Sequence, residues 1–313
     1  MGYAGMYRAA TLHAPVPGQC ANLAVGRFRM ISPFVRRLRL ARELRALRSQ
    51  AGLTHEQLAR KIGQSRAQIS RLENGHVVDQ ADILSILDTL GVDGDRWTQV
   101  MTIAREAGER GWWESSRGMG VRQALYADLE AGAATIREYQ QTFLPGLLQT
   151  PAYVRARIES ELEPMTGTDE GVLAGRLGRQ RMLRRPGGAT YEVIVDEMAI
   201  RRLTAPAEVI REQLSHIVSV VNTAPRLALR VLPIEARIQG FAVPRSAFAM
   251  YTYADPGDPV VVAIDTVTDD LVLTDDDAVR RYSELYRRLR EAALTGEKSA
   301  DLLVSAADAL AGR

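Results

Sequence analysis

Cysteine is almost absent from this sequence, since Cys20 is the only one among its 313 residues. One cysteine excludes an intrachain disulfide framework and a cysteine-based zinc site. Histidines are also few, and they lie far apart along the chain, at His13, His55, His76 and His216. We therefore expect no metal site in this protein.

Long apolar runs are missing as well. No stretch of the sequence reaches the 18 residues that indicate a membrane span. Residues 1–33 lack the basic start and apolar core of a secretory signal peptide. We expect a disordered tail over residues 1–33, Met30 as an alternative translation start, and a cytoplasmic location.

A recognisable catalytic set is also lacking. Asp196 and Glu197 end a predicted strand, but no nucleophile, phosphate-binding loop or metal ligand set accompanies them. The aspartates between positions 255 and 277 do not have the spacing or the glycine of a calcium-binding loop. We expect a protein that is not an enzyme and that needs no cofactor.

Charge is present but unevenly distributed. The chain has a formal net charge of +2, whereas the segment from Arg27 to Leu72 holds twelve basic and two acidic residues, a net of +10. The residues from position 73 onward therefore carry a net negative charge. A basic block before an acidic body predicts a nucleic-acid-binding module joined to a second domain.

Hydrophobic periodicity predicts five short helices over residues 34–107. Leu40, Leu44 and Leu47 form the apolar stripe of the first helix, while its arginines are expected on the surface. Two capping boxes are predicted, Thr54 with Gln57 and Ser65 with Gln68. The helices are expected at 34–51, 54–63, 65–73, 79–90 and 93–107.

Residues 108–313 contain both helical and strand-like hydrophobic patterns. The predicted fold class is therefore α+β, a five-helix domain followed by a larger mixed α/β domain with a small, partly antiparallel sheet. The 34–107 domain is expected to bind DNA and the 108–313 domain to serve regulation, dimerisation or partner binding. Helices are predicted at 126–139, 150–163, 170–184, 206–222, 274–295 and 299–311. Strands are predicted at 191–196, 227–232, 247–253 and 260–264, with a possible edge strand at 271–273.

The second and third helices, joined by a glycine turn, are typical of a helix-turn-helix unit whose second helix enters the major groove of DNA. Arg66 and Arg71 suit guanine and Gln68 suits adenine. Phosphates suit Ser65, Ser70, Asn74 and the helix N-termini. The predicted DNA-binding residues are Thr54, His55, Gln57, Ser65, Arg66, Ala67, Gln68, Ser70, Arg71 and Asn74. The alternative is a helical hairpin with a solvated polar face.

The same residues carry a family resemblance. The pattern Leu53-Thr54-x-Glu56-Gln57-Leu58-Ala59, followed by Gly63 and by Ile69-Ser70-Arg71-Leu72-Glu73-Asn74-Gly75, resembles the lambda-repressor-like (XRE) helix-turn-helix regulators. That family usually has Gln where His55 stands, and the resemblance implies that this position supports the recognition helix and touches a phosphate. It also implies a homodimer on double-stranded DNA.

The second half resembles the C-terminal domain of a large actinobacterial family of antitoxin-like transcriptional regulators. Gly111-Trp112-Trp113 and Pro145-Gly146-Leu147-Leu148-Gln149-Thr150-Pro151-x-Tyr153 carry this resemblance, while residues 235–239 depart from the family pattern. The resemblance implies that the second domain binds a small protein encoded by an adjacent gene. Two alternatives remain: an antitoxin that mainly sequesters that neighbour, or a regulator that senses a small molecule. The Pro145–Pro151 segment fits a structural turn, an interface or a ligand loop.

Overall fold

The computed structural model of this protein describes residues 30–77, 79–116, 118–160, 167–266 and 270–311. Residues 1–29 of the predicted disordered tail lie outside these ranges. The prediction is wrong for the end of that segment, because Ser32 is the N-cap of the first helix and Pro33 is its first residue. Among the described residues, no helix is both long and apolar enough to cross a membrane.

Five helices at the start of the described chain share one core. They are α1 (Pro33–Gln50), α2 (His55–Lys61), α3 (Arg66–Leu72), α4 (Gln80–Thr89) and α5 (Gly94–Ala107). Leu40, Leu58, Ile69, Ile86 and Ile103 are buried together in that core, so each helix contributes one apolar face. The link between α2 and α3 turns at Gly63, whose φ of 67° is a conformation that other residues adopt with strain.

The second half of the chain has a mixed α/β architecture, as predicted. Its helices are α6 (Trp112–Ser115), α7 (Val121–Glu130), α8 (Pro151–Glu159), α9 (Asp169–Arg184), α10 (Glu197–Arg201), α11 (Ala207–Thr223), α12 (Asp276–Ala292) and α13 (Gly296–Asp308). Its strands are β1 (Ala133–Gln140), β2 (Thr190–Asp196), β3 (Leu227–Leu232), β4 (Phe248–Tyr253), β5 (Val261–Asp265) and β6 (Asp270–Leu273). A 3₁₀ turn, Gly146–Leu148, lies between β1 and α8.

The six strands form one mixed sheet in the order β3-β2-β1-β4-β5-β6. The β1–β2 and β2–β3 pairs are parallel, whereas β4, β5 and β6 join antiparallel. One face of the sheet, with Tyr191 and Tyr251, packs with the apolar residues of α11 and α13. The other face, with Ile194 and Met250, packs with α12.

The helix predicted over 126–139 is confirmed only as far as residue 130 and is wrong beyond it. The chain ends α7 at Glu130 and enters β1 at Ala133, after Gly132 with a φ of 74°. β1 is a central strand that pairs with β2 on one side and β4 on the other. Those long-range ladders decide the strand, because strand preference depends on cross-strand packing more than on local sequence.

Smaller differences concern α12 and the arginines of α1. The helix predicted from position 274 begins at Asp276, and its N-cap Asp275 accepts from the Ala278 backbone N–H at 2.8 Å. The expectation that the α1 arginines lie on the surface is wrong for Arg36 and Arg39, which are 4% and 6% exposed. They are buried because they pair with carboxylates of the second half.

The two halves meet at the start of α1. Arg36 Nη1 lies 2.8 Å from Asp258 Oδ1, and Arg39 Nη1 lies 2.7 Å from Asp255 Oδ2. Asp128 of α7 accepts from the Ser32 hydroxyl at 2.7 Å and from the Phe34 backbone N–H at 3.1 Å. The helical core is therefore fixed to α7 and to the loop after β4.

Candidate nucleic-acid interface

The start of α2 has the predicted capping box. The Thr54 hydroxyl accepts from the Gln57 backbone N–H at 3.2 Å, and Gln57 Oε1 accepts from the Thr54 backbone N–H at 2.8 Å. Both residues are exposed. This reciprocal pair satisfies N–H groups that the first turn of a helix leaves without partners.

The start of α3 has only half of the predicted box. The Ser65 hydroxyl accepts from the Gln68 backbone N–H at 3.1 Å. The Gln68 side chain does not return to Ser65. Its Nε2 donates to Asp82 Oδ2 at 2.9 Å, and its Oε1 accepts from Arg71 at 2.7 Å. An ionised acceptor forms a stronger hydrogen bond than a neutral one, which explains why Gln68 turns toward α4.

The outward side of α3 carries most of the other predicted contacts. Ser65, Arg66, Ala67 and Arg71 are exposed. Arg66 forms no hydrogen bond or ion pair with another side chain of the described chain, so its guanidinium is available to a ligand. Arg71 shares its guanidinium with Gln68.

The end of α3 holds the remaining polar residues. Asn74 is exposed, and its Nδ2 donates to the Ser70 carbonyl at 2.8 Å. Ser70 is half-buried. This bond stabilises the last turn of α3, and it leaves the Asn74 side-chain oxygen without a hydrogen bond to any described residue.

Glu73 is a residue of this interface that the sequence interpretation missed. It is 3% exposed, and its carboxylate accepts from Arg48 Nε at 2.6 Å and Arg48 Nη2 at 2.8 Å. His55 Nε2 lies 2.9 Å from the same carboxylate. Glu73 thus joins the end of α3 to α1 and to the start of α2, and we call these three side chains the Glu73 cluster.

The electrostatics of the Glu73 cluster favour the ionised carboxylate. Burial by itself raises the pKa of Glu73, but the hydrogen bonds and charges of Arg48 and His55 outweigh it and hold that pKa below its ordinary value. The resemblance implies that His55 supports the recognition helix, and the contact of His55 with Glu73 links it to the end of α3. Its predicted phosphate contact stays a prediction.

The basic block of the sequence is divided by the fold. Arg36, Arg37, Arg39 and Arg48 pair with carboxylates inside the chain. Arg66 and Arg71 remain exposed on α3, together with Lys61 at the end of α2. The positive charge available to a phosphate backbone is therefore much smaller than the sequence total, and part of it is concentrated around the recognition helix.

This arrangement can read DNA by shape and by hydrogen bonding. A short helix with a polar and basic outer face fits the major groove, where an arginine fork can bond guanine O6 and N7. The three-sided support of α3, from its apolar core, Asp82 and Glu73, fixes the direction in which Arg66 and Arg71 extend. A rigid recognition helix loses little conformational entropy on binding.

Two protein families match this chain, one in each half. Residues 39–97 match the family described as Helix-turn-helix domain. Residues 123–305, more than half of the chain, match the family described as Domain of unknown function (DUF5753). The comparisons with curated proteins and with solved structures found no match.

Proposed function

We propose that this chain, which belongs to the family described as Domain of unknown function (DUF5753), is a transcription regulator that binds a specific DNA sequence through its helix-turn-helix domain. The observation that carries the proposal is the outer face of α3, where Arg66 and Arg71 are exposed on a helix that its neighbours hold in place. The finer resemblance to lambda-repressor-like regulators and to antitoxin-like actinobacterial regulators is part of this proposal.

In this proposal, α3 lies in the major groove and α2 crosses the backbone. Arg66 and Arg71 bond to base edges, each good bidentate pair giving about 1–3 kcal/mol of discrimination. Gln68 positions Arg71 in the free protein, because its amide oxygen accepts from that guanidinium. It reaches adenine only if DNA displaces Asp82 or Arg71.

The test is selection of genomic fragments by the purified chain at two salt concentrations. A single enriched site that survives the higher salt supports the proposal, since phosphate attraction alone falls steeply with salt. The Arg66→Ala, Arg71→Ala double variant then loses preference for that site. An Arg155→Ala, Arg181→Ala double variant removes the same charge from exposed positions of the second half and keeps the preference. Equal preference in both double variants would show that α3 does not read the sequence.

We also propose that the protein binds DNA as a homodimer. Helix-turn-helix modules usually read two half-sites about one helical turn apart, with the protein two-fold axis matching the palindrome. Light scattering of the chain on a sizing column tests the dimer directly. A monomer that protects one half-site would contradict it.

For the second domain we propose a small protein partner, encoded beside this gene. Support comes from the loop before β4, where Phe241 is 93% and Val243 is 73% exposed, and from Ile234, which is 58% exposed. Large apolar side chains that a fold leaves exposed to water mark interaction sites when they are grouped on a surface, and Phe241 and Val243 are two residues apart in one loop. Co-expression with the neighbouring protein is expected to give a complex on a sizing column, and Phe241→Ser is expected to weaken it. If Val304→Ser, at an exposed position on α13, weakens the complex equally, the assignment of the loop is wrong.

Two alternatives remain for the function of the chain: an antitoxin that sequesters the neighbouring protein, and a regulator that senses a small molecule. If the chain is an antitoxin, the neighbouring protein expressed alone inhibits growth. The Arg66→Ala, Arg71→Ala double variant of this chain then still relieves that inhibition. Sensing of a small molecule requires a ligand site in the second half, and the cavity lined by Arg176 favours this alternative.

A further inference from the structure

A cavity lies on one face of the sheet, at the carboxyl ends of β1 and β5. Its volume is about 80 Å³, enough for several water molecules or for a small ligand. The cavity is partly open to solvent. Residues of α7, of α9 and of the turn at Gly146 line it, and Glu138, Tyr251 and Asp265 line it from the strands. The carboxyl ends of strands are a common place for ligand sites in sheets covered by helices.

Most charged groups of the cavity have partners within the chain. Arg179 binds Glu130 through two nitrogens and donates to Gln123 Oε1 at 2.6 Å. Arg122 Nη1 lies 2.9 Å from Asp265 Oδ1. These groups neutralise each other and need no ligand.

Glu138 is satisfied in a different way. Its carboxyl group accepts hydrogen bonds from the Tyr191 hydroxyl and from Gln140 Nε2. Burial raises the pKa of Glu138 although these two donors lower it. Neither a hydrogen bond nor an ion pair joins Glu138 to Arg176 among the described residues.

Arg176 of α9 is the exception. Its Nε is buried without a hydrogen-bond partner, and its guanidinium forms no ion pair with any carboxylate of the described chain. Burial lowers the pKa of Arg176 to about 10, which still leaves it protonated at neutral pH. The Arg176 side chain as a whole is half-buried. Removing one of its guanidinium nitrogens from water is costly, and only an opposite charge or a hydrogen bond compensates for that cost.

Two tyrosine hydroxyls open onto the same space. Tyr126 and Tyr251 line the cavity, and neither hydroxyl has a hydrogen-bond partner among the described residues. Burial raises the pKa of both tyrosines, so each stays a neutral donor. A guanidinium and two hydroxyl donors around one space are complementary to an oxyanion.

Gly146 explains how Arg176 reaches this position. A Cβ on Gly146 would lie 2.1 Å from Arg176 Nη1, so a side chain there would displace the guanidinium. The neighbouring residues of the turn, Leu147 and Leu148, are buried in the core. The leucines of the Pro145–Pro151 segment therefore pack in the core, and its glycine leaves the space that the Arg176 guanidinium occupies.

We propose that this cavity binds a small metabolite through its carboxylate or phosphate group, with Arg176 as the cation and Tyr126 and Tyr251 as hydrogen-bond donors. The arginine fork matches either group. The volume excludes a nucleotide and requires a compact ligand with few atoms beyond the anionic group.

The cavity is physically connected to the DNA-binding half. Tyr126 and Glu130 line it from α7, and Asp128 of the same helix binds Ser32 and the backbone of Phe34 at the start of α1. A ligand that moves α7 therefore changes the support of α1. This regulatory consequence rests on the proposed function, whereas the binding itself does not.

The test is calorimetric titration of the full chain with acetate and with inorganic phosphate, at constant ionic strength set with sodium chloride. We expect one of the two anions to bind saturably and to raise the melting temperature, because a ligand that binds only the folded state stabilises it. Acetate binding identifies a carboxylate ligand, and phosphate binding identifies a phosphate ligand. Absence of binding by both would overturn the proposal.

Variants separate this site from nonspecific attraction. Arg176→Gln is expected to weaken binding about tenfold or more, since it removes charged hydrogen bonds. Arg181→Gln, at an exposed position of the same helix, is expected to bind as the original chain does. Arg176→Gln without anion is expected to melt no lower than the original chain, because the Arg176 side chain has no hydrogen bond or ion pair there to lose. Tyr251→Phe, which removes only a hydroxyl, is expected to weaken binding in a chain that folds normally.

Three outcomes contradict the assignment: unchanged binding by Arg176→Gln, equal weakening by Arg181→Gln, or a large loss of stability in Arg176→Gln without anion. DNA affinity is then measured with and without the bound anion. Anion binding that leaves DNA affinity unchanged supports the site and contradicts its regulatory role. Anion binding by a chain that selects no DNA site supports the cavity and contradicts the proposed function.

Discussion

Replacement of Glu73 by glutamine tests how the recognition helix is held. Glu73 accepts three hydrogen bonds, at 2.6, 2.8 and 2.9 Å, from Arg48 and His55. Glutamine keeps the shape and one acceptor oxygen but removes the charge. Arg48, whose side chain is 13% exposed, then loses its counter-ion.

The expected cost is about 3 kcal/mol, at the lower end of what breaking a buried ion pair costs. Hydrogen bonds to charged groups contribute about 1.5–3 kcal/mol each, but the three bonds share one carboxylate and do not add. For a domain of this size, that cost lowers the melting temperature by about 12–24 °C. It is a large part of the roughly 5–15 kcal/mol that stabilises a typical domain.

Native-state hydrogen exchange with mass spectrometry measures this change on peptides that cover α2 and α3. Glu56→Gln is the matched control. Glu56 pairs with Arg60 at 3.3 Å on the surface, with side chains 70% and 77% exposed, so its loss costs less than about 0.5 kcal/mol. If the two variants change the exchange of α3 equally, the Glu73 cluster does not hold the recognition helix.

Three further predictions concern pH, the junction of the two halves and the turn. Because the folded pKa of Glu73 lies below its ordinary value of 4.5, its stabilisation is complete above that value and is lost as the pH falls through the folded pKa. Urea titrations should therefore show the difference between the original chain and Glu73→Gln shrinking below about pH 4, and a constant difference would contradict the sign. Arg36→Ala leaves Asp258 with reduced pairing and should cost about 3 kcal/mol; calorimetry should then resolve separate transitions for the two halves, whereas an unchanged trace would show that this contact does not couple them. Gly63→Ala should cost about 1 kcal/mol through its positive φ alone, while Gly108→Ala, without a positive φ, should be nearly neutral in the same urea titration; equal costs would refute the backbone explanation.

Local signals determined much of the DNA-binding half. The apolar spacing of α1, the Thr54 capping box and Gly63 are short-range features, and the structure has each of them where the sequence predicts it. The hydrogen bonds and caps of a helix join residues only a few positions apart, so the nearby sequence indicates where the helix begins and ends. The exposed arginines of α3 followed from the same periodicity.

Tertiary structure decided the rest. β1 became a strand because β2 and β4 pair with it from distant parts of the chain. Gln68 turned away from Ser65 because folding places Asp82 of α4 beside it. Such partners are invisible in a local pattern.

The same distinction separates the two sites. The predicted residues of the DNA interface lie within one continuous segment, from Thr54 to Asn74, so a local sequence pattern was enough to find them. Arg36 found its counter-ion Asp258 at a separation of 222 residues, and the cavity at Arg176 combines α7, α9 and two strands. An arginine can pair with a carboxylate of the chain, face DNA or bind an anion. Which of these it does depends on the groups that folding brings within hydrogen-bond distance, and only the tertiary structure determines those groups.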